Sequence, residues 1–220
     1  MPIRNKIHYL LIKKLAVTKK AAKEIIESGE VFINEKAIFE NCFFEETDSI
    51  FYKKEILQEG KKVLNIAFYK PRGIETTLNE SIENNLRSIL PFSAHLFPIG
   101  RLDKESEGLL ILTNDGKYYR SMLHFDKTVE KEYVVKVNKV ITNDFIEKMS
   151  SGIVIMGKKT LDCPVARIDD FTFNIVLVQG LNRQIRRMCY QLDYEVTELK
   201  RIRIGTILLD NLQANEYRNF

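Results

Sequence analysis

Apolar and polar residues alternate along much of this chain with a period of two. Segments 133–137 and 172–177 carry this alternation most clearly, and it predicts strands with one covered face. Such strands are typical of antiparallel sheets, whereas doubly wound parallel sheets have continuous apolar runs. Helix candidates and turn signals separate the strands, so we expect an α+β fold with a mainly antiparallel sheet. The strand candidates are residues 63–69, 108–113, 132–137, 171–178 and 195–204.

The first 60 residues have a different pattern, with two short helices followed by a hairpin. One helix is predicted near residues 5–15, and the second has Thr18 as its N-cap and Gly29 as its C-cap. Two apolar runs then flank Asn34-Glu35, a turn candidate. The polar, glycine-containing segment 58–62 is a linker candidate, so we expect one small domain over residues 1–60 and a larger one over residues 61–220.

Composition excludes several classes of protein. With 45% hydrophobic and 29% charged residues, the sequence is typical of a globular protein rather than a disordered or membrane protein. The N-terminus lacks an apolar signal core, which favours a cytoplasmic location. Cys42, Cys163 and Cys189 are odd in number and widely spaced, so we expect reduced thiols rather than disulfides or a zinc site.

Charge is distributed unevenly along the chain. The formal net charge is only +4, but residues 1–23 contain seven bases and no acid. Lysine runs of this kind bind phosphates or merely solvate a helix face, and the residues alone leave both interpretations open. Three of these bases are candidate nucleic-acid contacts: Arg4, Lys19 and Lys20.

Segment 100–116 places a carboxylate in a glycine-bounded polar loop just before a strand of buried type. Asp103 follows Arg101 by two residues, and Glu105 and Glu107 lie in the same turn. From residue types alone, an aspartate that caps a turn is commoner than a catalytic one.

Residues 182–192 form a predicted helix with two unlike faces. One face is apolar, and the other carries Arg183, Arg186, Arg187 and Tyr190. Asn182 is the predicted N-cap. Arginines beside a helix N-terminus suit phosphate binding. The alternative is a salt-bridged surface helix, which is less favoured because no acid lies within the helix.

Two further segments are candidates for nucleic-acid contact. Residues 69–73 combine an aromatic side chain, Lys70, Arg72 and a turn, although an ordinary basic turn would look the same. Lys131 and Tyr133 lie on the same side of one strand. Tyr133 could stack on a base or be an ordinary tyrosine at the edge of the core.

Nearly the whole chain resembles the pseudouridine synthases that carry an S4 RNA-binding domain. This branch contains the small-subunit ribosomal RNA synthase A and the large-subunit ribosomal RNA synthases B, E and F. Segment 100–116 resembles their catalytic segment, and residues 70–73 match a Lys-Pro-Xaa-Gly motif. Residues 179–188 resemble their third motif, with Gln179 and Leu181 as in the F subgroup. The first domain resembles an S4 domain, with Glu35 in place of the usual turn glycine and Thr18-Lys19-Lys20 in place of Ser-Arg.

The resemblance implies isomerisation of a uridine within ribosomal RNA, with large-subunit RNA as the target and transfer RNA as a second substrate. It implies that Asp103 is the catalytic carboxylate, that Arg186 faces it and favours its ionised form, and that Tyr133 packs on the target base. We expect a monomeric enzyme that uses no metal or cofactor and has no membrane partner. The expected RNA contacts in the larger domain are Lys70, Arg72, Arg101, Lys131, Asn182, Arg183, Gln184 and Arg187.

Two rival functions remain at this stage. A noncatalytic S4-domain ribosome assembly factor would keep the RNA contacts and leave Asp103 idle. A nuclease would need clustered carboxylates for metal ions, and the sequence shows no convincing cluster around Asp103.

Overall fold

The structure is a computed structural model that describes residues 5–90, 96–125 and 129–220. By its internal contacts the chain forms two compact units. The first contains the residues up to 64 together with 114–116, and the second contains 65–113 and 117–220.

The first unit packs two helices on a small antiparallel sheet of order β2-β1-β3-β4. Thr18 caps the second helix by accepting a hydrogen bond from the Ala21 amide, and Gly29 follows the helix with a φ of 74°. Ile7, Leu11 and Val31 are fully buried in its core. The two helices and the hairpin predicted from the sequence are thereby confirmed. The elements are α1 (Ile7–Leu15), α2 (Lys19–Glu27), β1 (Val31–Ile33), β2 (Lys36–Ile38), β3 (Ile50–Tyr52) and β4 (Glu55–Gln58).

The second unit is built on a nine-stranded sheet. Its strands are β5 (Asn65–Lys70), β6 (Phe97–Ile99), β7 (Glu107–Thr113), β8 (Lys131–Val137), β11 (Val165–Arg167), β12 (Thr172–Leu177), β13 (Val196–Ile204), β14 (Ile207–Leu208) and β15 (Tyr217–Asn219). A separate hairpin is formed by β9 (Val154–Ile155) and β10 (Lys158–Lys159). The helices are α3 (Gly116–Phe125), α4 (Asn143–Ser150) and α5 (Gln184–Gln191), with a 3-10 turn at Leu86–Ser88.

The main path of the sheet runs β11-β12-β8-β13-β7-β5-β15, with β14 and β6 paired beside it. Its pairs are antiparallel except for β7 and β13, which run parallel through the register pairs Lys200–Glu107 and Arg201–Gly108. The prediction of an α+β fold with a mainly antiparallel sheet is confirmed. Gly108 is required at this crossing, because a Cβ there would lie 2.3 Å from the Arg201 carbonyl oxygen and its φ is 103°.

Apolar side chains pack against each half of this sheet. One core joins β8, β12, α4 and α5 around Phe145, Phe173 and Met188. The other lies around Leu109, Ile111 and Ile204, on β7 and β13. Both cores include residues of β13, so this strand joins the two halves of the sheet.

The cysteines are free thiols, as predicted. Burial raises the pKa of Cys163 to about 11 and that of Cys189 to about 12, so neither is a reactive thiolate at neutral pH. Within the described ranges, no helix has the length and apolar character needed to cross a bilayer.

Candidate active site

A cavity of about 380 Å³ opens in the second unit, where the loop before β7 meets β8 and β13. It brings together residues that are far apart in the sequence: Asp103 from the loop, Tyr133 from β8 and Arg183 from the start of α5. Several predicted RNA contacts also line it, namely Arg101, Lys131, Asn182 and Gln184.

The loop that carries Asp103 is fixed through its backbone. The Thr76 hydroxyl donates to the Leu102 carbonyl (2.7 Å) and accepts from the Leu102 amide (3.2 Å). The Gly73 amide donates to the Lys104 carbonyl (2.7 Å), and the Ser106 amide donates to the Asp103 carbonyl (3.0 Å). Among the described residues, the Asp103 carboxylate itself forms no ion pair or hydrogen bond, so this half-buried group is available to a substrate.

Arg186 contacts the same loop, but it does not pair directly with Asp103. Its Nη2 donates to the Glu105 carbonyl (3.1 Å) and the Ser106 hydroxyl (3.3 Å), and its Nη1 donates to the Val196 carbonyl (3.1 Å). Burial, followed by the charge of Arg183, lowers the pKa of Arg186, while the charges of Glu105 and Asp103 oppose that shift. Arg186 is therefore near enough to act on Asp103 electrostatically, and its Nη2 contacts the loop two to three residues further on.

Lys70 is not an RNA contact in this structure, which corrects the sequence prediction. The side chain is fully buried, and Nζ donates to the carbonyls of Pro71 (2.8 Å) and Ile74 (2.7 Å). Burial lowers its pKa to about 8, with Arg201 adding to the shift. Lys70 thus shapes the turn after β5, whereas Arg72 stays exposed and donates to the Thr197 carbonyl (3.1 Å).

The N-terminus of α5 differs from the prediction. Arg183, with a φ of 51°, is the N-cap residue, and Asn182 does not cap the helix. Instead, Asn182 accepts two hydrogen bonds from Arg187, at its carbonyl (3.0 Å) and its side-chain oxygen (3.2 Å). Arg183 forms an ion pair with Glu105 at 2.8 Å, which lowers the pKa of Glu105. The acid that pairs with Arg183 is therefore Glu105, in the loop that carries Asp103, and not a residue of α5.

Gln184 also has a different role from the predicted one. It is buried, its Oε1 accepts from the Leu181 amide (3.1 Å), and its Nε2 donates to Gln179 Oε1 (3.1 Å). Gln179 Oε1 also accepts from the Leu161 amide (2.8 Å). Because both polar ends of Gln184 are used within the protein, it holds the 179–183 loop rather than contacting RNA.

Lys131 and Tyr133 lie on the same side of β8, as the period of two predicted, and both line the cavity. Tyr133 is half-buried and packs against the core on one side. Lys131 is largely buried, with Nζ 3.4 Å from the Val129 carbonyl.

In the first unit, Lys19, Lys20 and Lys23 are exposed on α2. They border an open groove of about 740 Å³ together with His8 and the exposed side chain of Phe39. Arg4, the other predicted contact in this unit, lies outside the described residues.

The sequence reasoning missed Arg201, a cavity-lining residue that is only 3% exposed. Its Nε donates to the Leu109 carbonyl (2.7 Å), its Nη1 donates to the Arg101 carbonyl (3.4 Å), and its buried Nη2 has no partner among the described residues. The signal in the sequence was the position of Arg201, two residues after the inward-facing Leu199. In an alternating strand, this inward-facing position normally carries an apolar residue.

The sequence also matches known proteins. A family model described as RNA pseudouridylate synthase matches residues 64–191. The chain is 40% identical over 204 residues to the dual-specificity RNA pseudouridine synthase RluF of Salmonella typhi, covering 92% of this chain and 71% of the relative. It is 26% identical to the ribosomal large subunit pseudouridine synthase B of Bacillus subtilis, covering 91% and 86%.

A solved structure described as a pseudouridylate synthase superposes with a TM-score of 0.68 at 23% identity, covering 98% of this chain and 95% of that one. This likeness concerns the fold, and the sequence matches identify the family. The chain belongs to the RNA pseudouridylate synthase family.

Proposed function

We propose that this RNA pseudouridine synthase uses Asp103 as its catalytic carboxylate on a uridine of large-subunit ribosomal RNA, with transfer RNA as a second substrate. One observation carries the assignment of Asp103. Its carboxylate has no protein partner among the described residues, yet its loop is fixed on both sides at the edge of a cavity that Tyr133 also lines.

The reaction is an isomerisation. The bond between ribose C1′ and uracil N1 breaks, C1′ bonds to uracil C5, and the hydrogen on C5 is replaced by one on N1. The atoms balance without a redox partner. Asp103 serves this reaction either as a nucleophile on the sugar or base or as the base that removes a ribose proton, and both roles need a carboxylate oxygen that the substrate can reach.

The other cavity residues prepare the target nucleotide. A uridine must leave its stack to reach the cavity, which costs a few kcal/mol in a duplex and less in a loop. Phosphate contacts from Arg101, Arg183 and Arg187 offset that cost, and Tyr133 packs on the flipped base. Arg186 is a positioning residue, because it binds the loop beyond Asp103 and places a positive charge near the carboxylate.

The choice of RNA is supported by similarity. The identity to a dual-specificity enzyme and to a large-subunit enzyme favours ribosomal RNA, and Gln179 and Leu181 favour the F subgroup. The first unit, with its exposed lysines on α2, would act as the S4-like RNA-binding domain. We further propose a monomeric enzyme in the cytoplasm, a reducing compartment that suits the free thiols.

The test compares wild type with Asp103→Asn on ribosomal and transfer RNA transcripts in EDTA, with pseudouridine mapped by carbodiimide modification and primer extension. We expect a discrete wild-type stop that disappears in the variant, while RNA binding measured by filter retention stays within about twofold. If wild type binds but modifies neither transcripts nor immature ribosomal particles, the noncatalytic assembly factor replaces this proposal. RNA cleavage that occurs in parallel reactions without EDTA and disappears when EDTA is added would instead indicate a nuclease.

A further inference from the structure

A second groove, of about 440 Å³, lies between the β9–β10 hairpin and α5. We infer that this groove binds an unpaired RNA nucleotide next to the target uridine, with its base on Met156 and Tyr190 and its phosphate at Arg183 and Arg187. This inference rests on the proposed function, since it extends the path of the same RNA strand beyond the catalytic cavity.

Met156 is in a conformation that the hairpin alone does not favour. Ile155 pairs with Lys158, so Met156 and Gly157 form a two-residue turn, and their φ angles are 50° and 74°. Turns with two positive φ angles favour Asn-Gly, because a side chain such as methionine is strained there. Met156 is also 69% exposed and adds nothing to the core. A strained, exposed and apolar residue points to a role outside folding.

Tyr190 lines the same groove as Met156 and is 76% exposed. It lies on the polar face of α5, while its neighbours Met188 and Cys189 are buried on the other face. An exposed aromatic ring offers a stacking surface to any unpaired base, and the flexible thioether of methionine adapts to irregular planar groups.

Charge favours RNA as the occupant. Arg183, Arg186 and Arg187 line the groove, and none of the described residues that line it is acidic. Arg183 also lines the proposed catalytic cavity, so the two sites adjoin at this residue. A strand with its target base in the cavity would therefore pass the groove with its next nucleotide, where the arginines can contact a phosphate and Tyr190 and Met156 can contact a base.

The test measures fluorescence anisotropy of a short fluorescein-labelled oligouridylate and of an abasic strand of equal length. For Met156→Asn and for Tyr190→Ala we expect oligouridylate binding weaker by about tenfold, the scale of one lost base stack, with abasic binding unchanged. Met156→Asn should also raise the melting temperature, because asparagine suits the turn. Affinity and stability would then move in opposite directions, which a purely structural role does not predict.

Ile168→Asn is the matched control, since it removes an apolar side chain of similar exposure (55%) that does not line the groove. We expect it to leave both affinities unchanged. Equal oligouridylate affinity in wild type and both groove variants would overturn the inference, and would leave a protein partner as the better occupant. Pseudouridine formation by wild type is scored separately, so the proposed function and the groove can fail independently.

Discussion

At the residue scale, three buried or half-buried cations hold the loop that carries Asp103 and the segments beside it. Lys70, Arg186 and Arg201 each donate to at least two backbone carbonyls. Carbonyls in loops at a cavity edge would otherwise need water as a donor. The cations therefore fix the backbone and also keep positive charge close to Asp103.

Sequence patterns could not separate these cations from RNA-binding ones. Lys70 in a basic turn and Gln184 in a motif beside arginines look like phosphate contacts, yet their polar atoms are used inside the protein. Only the packing of distant segments decides this, because the acceptors of Arg201 lie about a hundred residues earlier in the chain. Asp103 and Tyr133, by contrast, line one cavity, whereas Arg186, which the resemblance implied as their partner, does not line it.

Arg201→Lys should slow catalysis without weakening RNA binding. Lysine cannot donate to the Leu109 and Arg101 carbonyls in the fixed geometry of a guanidinium group. We expect the single-turnover rate at saturating RNA to fall by at least about tenfold, the effect of one lost charge-assisted hydrogen bond. Affinity should change less than about twofold.

Arg203→Lys is the control for Arg201→Lys, because Arg203 lies on the same strand and pairs with Glu130 and Glu132 outside the cavity. A similar loss of rate in both variants would show that the effect comes from β13 as a whole. The positioning role of Arg201 would then be wrong.

Lys70 should make stability depend on pH in the alkaline range. Its pKa is lowered from 10.5 to about 8 in the folded protein, so between these values the unfolded chain binds the extra proton. The cost of burying the charge is present below about pH 8 and is relieved as the pH rises. The Lys70 contribution should therefore raise the free energy of unfolding by at most about 1.4 kcal/mol per pH unit.

Urea titrations of wild type and Lys70→Met between pH 8 and pH 10 would isolate this contribution, since the other titrating groups are common to both proteins. Parallel stability curves for the two proteins in this range would contradict the prediction.

At the scale of elements, the sequence predicted the long strands well. The predicted strand at residues 195–204 is observed as Val196–Ile204, and the one at 108–113 as Glu107–Thr113. The two-residue strands β9, β10 and β14 were not predicted, because two residues are too few to show an alternation of apolar and polar positions. The start of α5 was displaced because Arg183 adopts a left-handed conformation that no local rule assigns to arginine.

Glu35→Gly should stabilise the β1–β2 hairpin. Asn34 and Glu35 both have positive φ, at 47° and 67°, as the sequence implied for Glu35. Glycine removes the strain at the second position, and we expect a gain of about 1 kcal/mol in the free energy of unfolding of the first unit.

Asn34→Gly provides a control with the opposite sign. The Asn34 side chain donates to Asp48 Oδ1 (2.6 Å) and accepts from the Ser49 amide (2.9 Å), so its removal should destabilise the unit. Denaturant unfolding measures both variants, and a loss of stability in Glu35→Gly would show that the side chain matters more than the turn.

At the scale of the whole molecule, basic residues lie on α2 and around the cavity mouth, so RNA binding should weaken steeply with salt. We expect the logarithm of the association constant to fall linearly with the logarithm of salt concentration. Arg187→Gln should reduce this slope by about 0.7, the value for one phosphate contact on single-stranded RNA.

Arg167→Gln is the corresponding control, because Arg167 is on β11, outside both the cavity and the groove, and donates to Asn143. Its slope should equal that of wild type, measured by anisotropy over a severalfold range of potassium chloride. Equal slopes in all three proteins would remove Arg187 from the phosphate contacts.

The parallel pairing of β7 with β13 rests on two register pairs, and strands on either side of it belong to different apolar cores. The Asp103 loop enters β7, on one side of this pairing. Arg201 lies on β13, on the other side, and Tyr133 lies on β8, which pairs with β13. A nucleotide in the cavity would therefore touch both halves of the sheet, at the place where only the two register pairs of β7 and β13 join them. Bound RNA should delay amide hydrogen exchange across the whole second unit, so that the substrate itself makes unfolding more cooperative.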